Sequence, residues 1–237
     1  MTTSVGFRNI GLELVRVTEN AALAASRYIG SGNRLGAHAA AHRAMYDTIA
    51  TSGINAYVAI AEEQRIEDQA ILCGNTIVGD PSHEDIDVDI AADPIDGTSL
   101  LVKGRPGAIS VLGIAPRGAM WTPLPANYMD KIVVDRQAAA ALVPECMDAP
   151  PAWTLALIAR VKLKEVHDLT VGVLARARHE ELIEEIRATG ARILLMEEGD
   201  VAGALLAAFV GSGVDLLMGV GGASQGVLTA CAVKALG

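Results

Sequence analysis

The chain has 237 residues, 51% of them hydrophobic and 20% charged, with a formal net charge of -9. That length and apolar content support one large globular unit or two lobes sharing a core. The acidic balance excludes nonspecific nucleic-acid binding, which needs a basic footprint, but leaves a phosphorylated ligand open, because a bound cation inverts the local field.

Helical spacing runs from Phe7 to Ile29, where Leu12, Leu14, Val15, Val17, Ala22, Leu23 and Ala25 make a broad apolar face and Gly30 suits the stop. The opening "MTTSVGFRNIGLELVR" lacks a basic-then-apolar targeting pattern. Ala37–Ile49 is expected as a second, alanine-rich helix. Strands are expected over Ala56–Ala61, Ala70–Val78, Ile86–Ala92 and Ile109–Ala115, with Lys131–Val134 continuing the sheet. Residues 138–152 carry Pro144, Pro150 and Pro151 and read as a connector between an N-terminal lobe, 1–137, and a C-terminal lobe, 153–237. Beyond it, strands over Leu169–Leu174, Ile193–Met196 and Val214–Met218 alternate with helices over Glu180–Thr189, Val201–Phe209 and Gln225–Leu236. Such alternation indicates a largely parallel sheet with crossover helices, so the fold class is α/β.

From Val201 to Ala230 the only charge is Asp215, but glycines interrupt the run, so buried elements are expected rather than a membrane span. Cys73, Cys146 and Cys231 fit no zinc spacing and are expected as small buried hydrophobes in a reducing cytoplasm. The loop "GVGGASQG" departs from G-x-G-x-x-G and has no acidic residue downstream, which argues against a dinucleotide site.

Five aspartates crowd the stretch from Asp85 to Asp96 and run into Gly97, Thr98 and Ser99. Clustered carboxylates repel, and hard divalent cations with oxygen ligands offset that repulsion best. Asp85 and Asp87 read as a solvated strand edge. Asp89 and Asp93 lie at even spacing and share a face. Pro94 stiffens the link from Asp93 to Asp96, Gly97 permits close approach of the backbone, and Thr98 and Ser99 offer hydroxyl and N–H donors, so an anion cradle beside a metal site is expected.

The blocks "LVRVTENAALAA", "DVDIAADPIDGT", "KGRPGA", "YMDKIVV", "ARHEELI", "GDVAGAL" and "GVGGASQGV" resemble, in this order, those of class II fructose-1,6-bisphosphatases, within the inositol monophosphatase and fructose-bisphosphatase superfamily. The resemblance implies a layered sugar-phosphatase fold of the α-β-α-β-α type. It further implies a metal-dependent hydrolase of gluconeogenesis or glycerol metabolism that removes the 1-phosphate of fructose 1,6-bisphosphate with Mn2+ or Mg2+. Glu62, with Glu63 as the fallback, Asp93 and Asp96 would be metal ligands. Thr98 and Glu62 would carry the catalytic roles, Thr98 by contacting the scissile phosphate and orienting the attacking water. Asp96, Gly97, Thr98, Tyr128, Arg176, Arg178, Glu198, Asp200 and Gly222 would contact substrate. The two arginines suit a second phosphate, since guanidinium pairs with phosphate bidentately, although an exposed helix entrance explains them equally.

The sequence departs from that pattern at three places. His38 and Gln225 stand where a metal-binding aspartate and glutamate are expected, and Asn33 and Arg34 replace an Asp–Lys pair. Both neutral side chains remain possible ligands, but His38 prefers zinc or manganese to magnesium. His38 and His42 lie four apart on one helix, a spacing open to a metal-binding pair, but H-E-x-x-H is absent and an ordinary surface pair is expected there. A second functional class therefore stands beside the first: an impaired homologue that binds a sugar phosphate or a partner subunit. A third keeps the chemistry with sedoheptulose bisphosphate or an inositol phosphate as substrate. The family's chains continue beyond "VKALG", so an open edge covered by a partner in a homo-oligomer, dimer or tetramer, is expected, with a cytoplasmic location and no membrane partner.

Overall fold

A computed structural model describes residues 6–62, 70–81, 86–123 and 125–237. It divides into two units, Met1–Leu124 and Pro125–Gly237. The fold class is α/β.

In the first unit, α1 (Gly6–Ser26) and α2 (Arg34–Ala50) pack against each other and against one face of a sheet. That sheet has the order β2-β1-β3-β4, from β1 (Ile54–Ala61), β2 (Thr76–Ile77), β3 (Ile86–Asp96) and β4 (Ile109–Pro116). β1 and β3 are parallel, while β2 and β4 run antiparallel to their neighbours. The core is made at helical spacing by Val17, Ala21 and Ala25 of α1 and Ala37, Ala41 and Met45 of α2, closed onto Ala56, Val58, Val88 and Ile90. The small alanines let the two helices sit close together.

Three sequence expectations change here. The wide apolar stripe of α1 splits, because Leu12, Val15 and Leu23 are exposed while Val17 and Ala25 are buried. The strand expected over Ala70–Val78 shrinks to Thr76–Ile77. Gly74 takes a left-handed φ of 85°, and the turn before β2 bonds back to β1 through Gly74 N–H to Val58 O and Val58 N–H to Asn75 O. β3 does not stop at Ala92 but runs on to Asp96, with a register shift between Asp93 and Asp96 that accommodates Pro94, which has no N–H for the ladder.

The second unit holds β5 (Tyr128–Val134), α4 (Arg136–Ala139), α5 (Pro151–Lys162), β6 (Thr170–Leu174), α6 (Glu180–Ala188), β7 (Arg192–Met196), α7 (Asp200–Ala208), β8 (Leu216–Gly222) and α8 (Ala223–Leu236). Its sheet has the order β5-β8-β6-β7, parallel except for β5. β5 therefore joins β8 rather than continuing from β4. Alternate residues of adjacent strands face opposite ways. Val134 and Leu216 enter the cluster with Leu155, Ile158 and Ile186 of α5 and α6, whereas Val133 and Leu217 enter the one with Ala204 and Ala207 of α7. α8 packs against α7.

α5 lies where the sequence reading placed no element. Pro151 occupies its first turn, where a missing N–H is harmless, and Thr154, Leu155, Ile158 and Ala159 supply its buried face. Two lysines, Lys162 at its end and the exposed Lys164 just beyond, join two buried aspartates in an ion network. Lys162 Nζ meets Asp135 at 2.8 Å and Asp215 at 3.2 Å, and Lys164 Nζ meets Asp215 at 2.7 Å. Burial alone would raise the Asp215 pKa, but Lys164, the Thr170 N–H and Lys162 more than offset it, and the carboxyl titrates below its ordinary range. This explains the single charge of the apolar C-terminal segment. Among the described residues no helix is long and apolar enough to cross a membrane.

α5 ends on Leu163, which has a left-handed φ of 54° and is 92% exposed. A side chain in that region is strained by roughly 1–2 kcal/mol, and helices favour glycine there. Leu163→Gly is expected to raise unfolding free energy by up to about 1 kcal/mol and the melting temperature by roughly 2–4 °C in a thermal melt.

Candidate active site

In the first unit, the parallel register pairs Ala61 with Ala92, and the Glu62 N–H donates to Ala92 O at 3.2 Å. Glu62 thus leaves the sheet beside Asp93. Asp93 and Asp96 are 1% and 6% exposed on either side of the Pro94 irregularity. The Ile95 N–H donates to Asp93 Oδ1 at 3.2 Å, which fixes that carboxylate across the turn. Gly97 follows with φ 89°, a conformation that favours glycine, and Thr98 opens the short helix α3 (Thr98–Val102). The Thr98 hydroxyl is buried and donates to Ile95 O at 3.1 Å, so its lone pairs remain as acceptors. Arg34 donates to the Ser99 hydroxyl, and Asn33 caps α2 by accepting from Gly36 N–H.

The two imidazoles are not a surface pair. His38 and His42 are each 1% exposed, their rings stack with centroids 4.0 Å apart, and their Nε2 atoms lie 3.0 Å apart. One ring therefore presents Nε2–H and the other its lone pair. His38 Nε2 also lies 3.9 Å from Glu62 Oε2. Burial, then Arg34, lowers the His38 pKa to about 4; burial, then His38, lowers that of His42 to about 3. Both are neutral at pH 7.

Asp89, on the same strand, is held apart from this group. Arg117 Nη1 donates to it at 2.7 Å and the Met120 N–H at 3.1 Å. Burial would raise its pKa, but these bonds pull it below the ordinary range. Asp87 is exposed, as a solvated edge requires, whereas Asp85 and the fallback ligand Glu63 lie outside the described residues. Among the described residues no three His, Cys, Asp or Glu side chains are gathered closely enough to hold a metal ion. The three cysteines are free thiols, and only Cys146 is buried; the other two are half-buried.

In the second unit, Tyr128 stands opposite Gly222 across the β5–β8 ladder. Arg178 lies over the Tyr128 ring, 5.2 Å from its centroid, and donates to Val220 O from Nε at 3.1 Å and Nη2 at 2.8 Å. Arg176 is exposed just after β6 and donates to Ala175 O at 3.4 Å. Arg176 thus precedes, and Arg178 lies within, the 3-10 turn Ala177–His179 that leads into α6. Glu198 and Asp200 bracket Gly199, whose φ of 93° starts α7. Gln225, in the first turn of α8, belongs to this unit, and its Oε1 lies against Gly222.

Two residues without an assigned role in the sequence reading organise this group. The buried Lys131 ammonium bonds Asp200 Oδ2 and donates to Gly222 O at 3.3 Å. The only sequence signal for it is a charge at an interior position of a strand. His179 accepts from Val220 N–H at Nε2 and, as that tautomer requires, donates from Nδ1 to Leu174 O, both at 2.8 Å. These neighbours explain the "GVGG" spacing. A Cβ at Gly219 would meet the His179 ring, at Gly221 Asp200 and Lys131, and at Gly222 Gln225.

The comparisons with known proteins agree on one family. The family model described as bacterial fructose-1,6-bisphosphatase, glpX-encoded, matches residues 8–237. The D-fructose 1,6-bisphosphatase class 2/sedoheptulose 1,7-bisphosphatase of Synechococcus sp. (strain JA-3-3Ab) is 37% identical over 237 residues, spanning 96% of this chain and 67% of its own. The protein of the same name from Synechococcus sp. (strain JA-2-3B'a(2-13)) has the same identity and coverage. That of Gloeobacter violaceus (strain ATCC 29082 / PCC 7421) is 36% identical over 239 residues, spanning 97% of this chain and 68% of its own.

The neutral imidazoles set an acid limit on stability. Their folded pKa values lie below the unfolded value of 6.5, so the unfolded chain binds protons that the folded chain refuses. Stability is full above pH 6.5, declines below it, and the loss is complete near pH 3–4. Each ring is expected to contribute a loss of about 2 kcal/mol by pH 5. Urea unfolding at pH 7.5 and 5 checks this, and His42→Gln is expected to remove roughly half of the pH dependence.

Proposed function

The chain belongs to the class II fructose-1,6-bisphosphatase family, and from that premise we propose that it hydrolyses the 1-phosphate of fructose 1,6-bisphosphate to fructose 6-phosphate. The observation that carries the reading is the group of carboxylates at one sheet end: Glu62 tethered to Ala92 beside the buried Asp93 and Asp96.

The oxygen donors of Glu62, Asp93 and Asp96 are of the type a hard divalent cation, Mn2+ or Mg2+, takes; such an ion would draw them together, with His38 as a neutral donor in place of an acidic one. Such an ion supplies charge neutralisation at the phosphoryl oxygens and a water of lowered pKa. Thr98, whose own proton is held by Ile95 O, would accept a hydrogen bond from the attacking water and so orient it. Gly97 would let the backbone approach the phosphoryl group.

In the second unit, Arg178 has one guanidinium edge committed to Val220 O, so its Nη1 edge would meet a phosphate group together with Arg176. Glu198 and Asp200 would accept from sugar hydroxyls, while Tyr128 and Gly222 would complete the contacts. The relatives' names add sedoheptulose 1,7-bisphosphate as a second candidate substrate, of the same chemical class.

A second reading, a homologue that binds sugar phosphates with little turnover, is favoured by one observation. His38 directs Nε2 at His42, which competes with ligation of a cation.

Phosphate release from fructose 1,6-bisphosphate with Mn2+ or Mg2+ tests the first reading. Asp93→Asn is expected to reduce the rate by at least about a hundredfold. No release above that variant in either metal refutes hydrolysis, and a large gain from His38→Asp with Gln225→Glu selects the second reading.

A further inference from the structure

Lys131 places a full charge where a strand interior ordinarily takes an apolar side chain. It is 7% exposed, pairs across β5–β8 with Gly219, and bonds both Asp200, itself 8% exposed, and the Gly222 carbonyl. Gly221 has no room for a side chain because Asp200 and Lys131 fill the space. On the other side of the strand end, His179 and Arg178 hold the Val220 N–H and carbonyl. Lys131 is therefore the point where β5, the start of α7 and the end of β8 are tied together.

Stability alone does not account for such a pair. A buried ion pair is often no more stabilising than apolar residues of the same volume, because both ions lose their hydration. What the ammonium does supply is chemical. The carboxylate bonded to it is fixed in place and presents acceptor oxygens to its surroundings. An anionic acceptor repels a phosphate and takes a donor instead, such as a hydroxyl of a polyol. Without the ammonium, the Asp200 carboxylate would lose its buried partner and turn toward water, and the Gly222 carbonyl would lose its donor.

We propose that Lys131 is a positioning residue for a sugar phosphate: it acts through Asp200 and Gly222, holding the carboxylate aimed at a ligand hydroxyl. The inference rests on the reading that this unit contacts a ketose phosphate.

Calorimetric titration with fructose 6-phosphate tests it in the wild type, Lys131→Met, Asp200→Asn and the double variant, each with a thermal melt. Lys131→Met is expected to weaken binding tenfold or more, and to raise KM for the bisphosphate while leaving kcat within about threefold. The double variant is expected to bind within threefold of Asp200→Asn alone, as a residue acting through Asp200 requires. It leaves no orphaned buried charge, so it decides the question even if Lys131→Met fails to fold.

Binding by Lys131→Met within twofold of wild type, with only a lowered melting temperature, overturns the proposal. So does a further tenfold loss in the double variant, which would mean that Lys131 touches the ligand itself. A wild type that binds no fructose 6-phosphate overturns the functional reading and this inference with it. That outcome is distinguished by the silence of the parent protein.

Discussion

The parallel register between β1 and β3 decides where the acidic side chains fall. Because side chains alternate across a strand, a slip of one residue would turn each of them to the opposite face. With Ala61 beside Ala92, Glu62 and Asp93 emerge together at one end of the sheet. The irregularity at Pro94 then adds Asp96 to the same region, and Gly97 turns the chain into α3. Asp93 and Asp96 are buried, and like charges near one another raise one another's energy. The local sequence thus creates an electrostatic demand for positive charge, which the proposed divalent cation would meet with oxygen coordination.

The second unit solves a different problem: holding a glycine-rich strand end in one conformation. Glycine gives up more freedom on folding than any other residue, so a Gly-Val-Gly-Gly segment needs external support. His179 supplies it on one side through a tautomer fixed by two hydrogen bonds, and Lys131 on the other. Arg178 contributes from the surface while stacking on Tyr128. The space left by the absent glycine side chains is occupied by His179, by Lys131 with Asp200, and by Gln225.

Much of this was legible before any coordinates. The crossover pattern of the second unit follows from alternating strand and helix signals, and the end of β3 announced itself by charge density. Other features were hidden for physical reasons. α5 begins at Pro151 with Pro150 before it, and both read as breakers although proline is well placed in a first helical turn. The turn over residues 70–75 is apolar enough to resemble a strand, and only its bonds back to β1 reveal otherwise. His38 and His42 read as surface residues because histidine is polar, whereas mutual stacking and a shared proton let both be buried. Lys131 and His179 act through partners distant in sequence, to which spacing is blind. The substitutions at His38 and Gln225 were visible from the outset, and the structure gives the first a definite partner in His42 and sets the second against Gly222.

The central claim is that the carboxylates at the end of β3 hold a cation. Titration with Mn2+ followed by electron paramagnetic resonance, on the protein and on its Asp93→Asn variant, tests it most directly. The account predicts saturable binding well below millimolar concentration that the variant loses. Absence of binding at millimolar Mn2+, or equal binding by the variant, would contradict it.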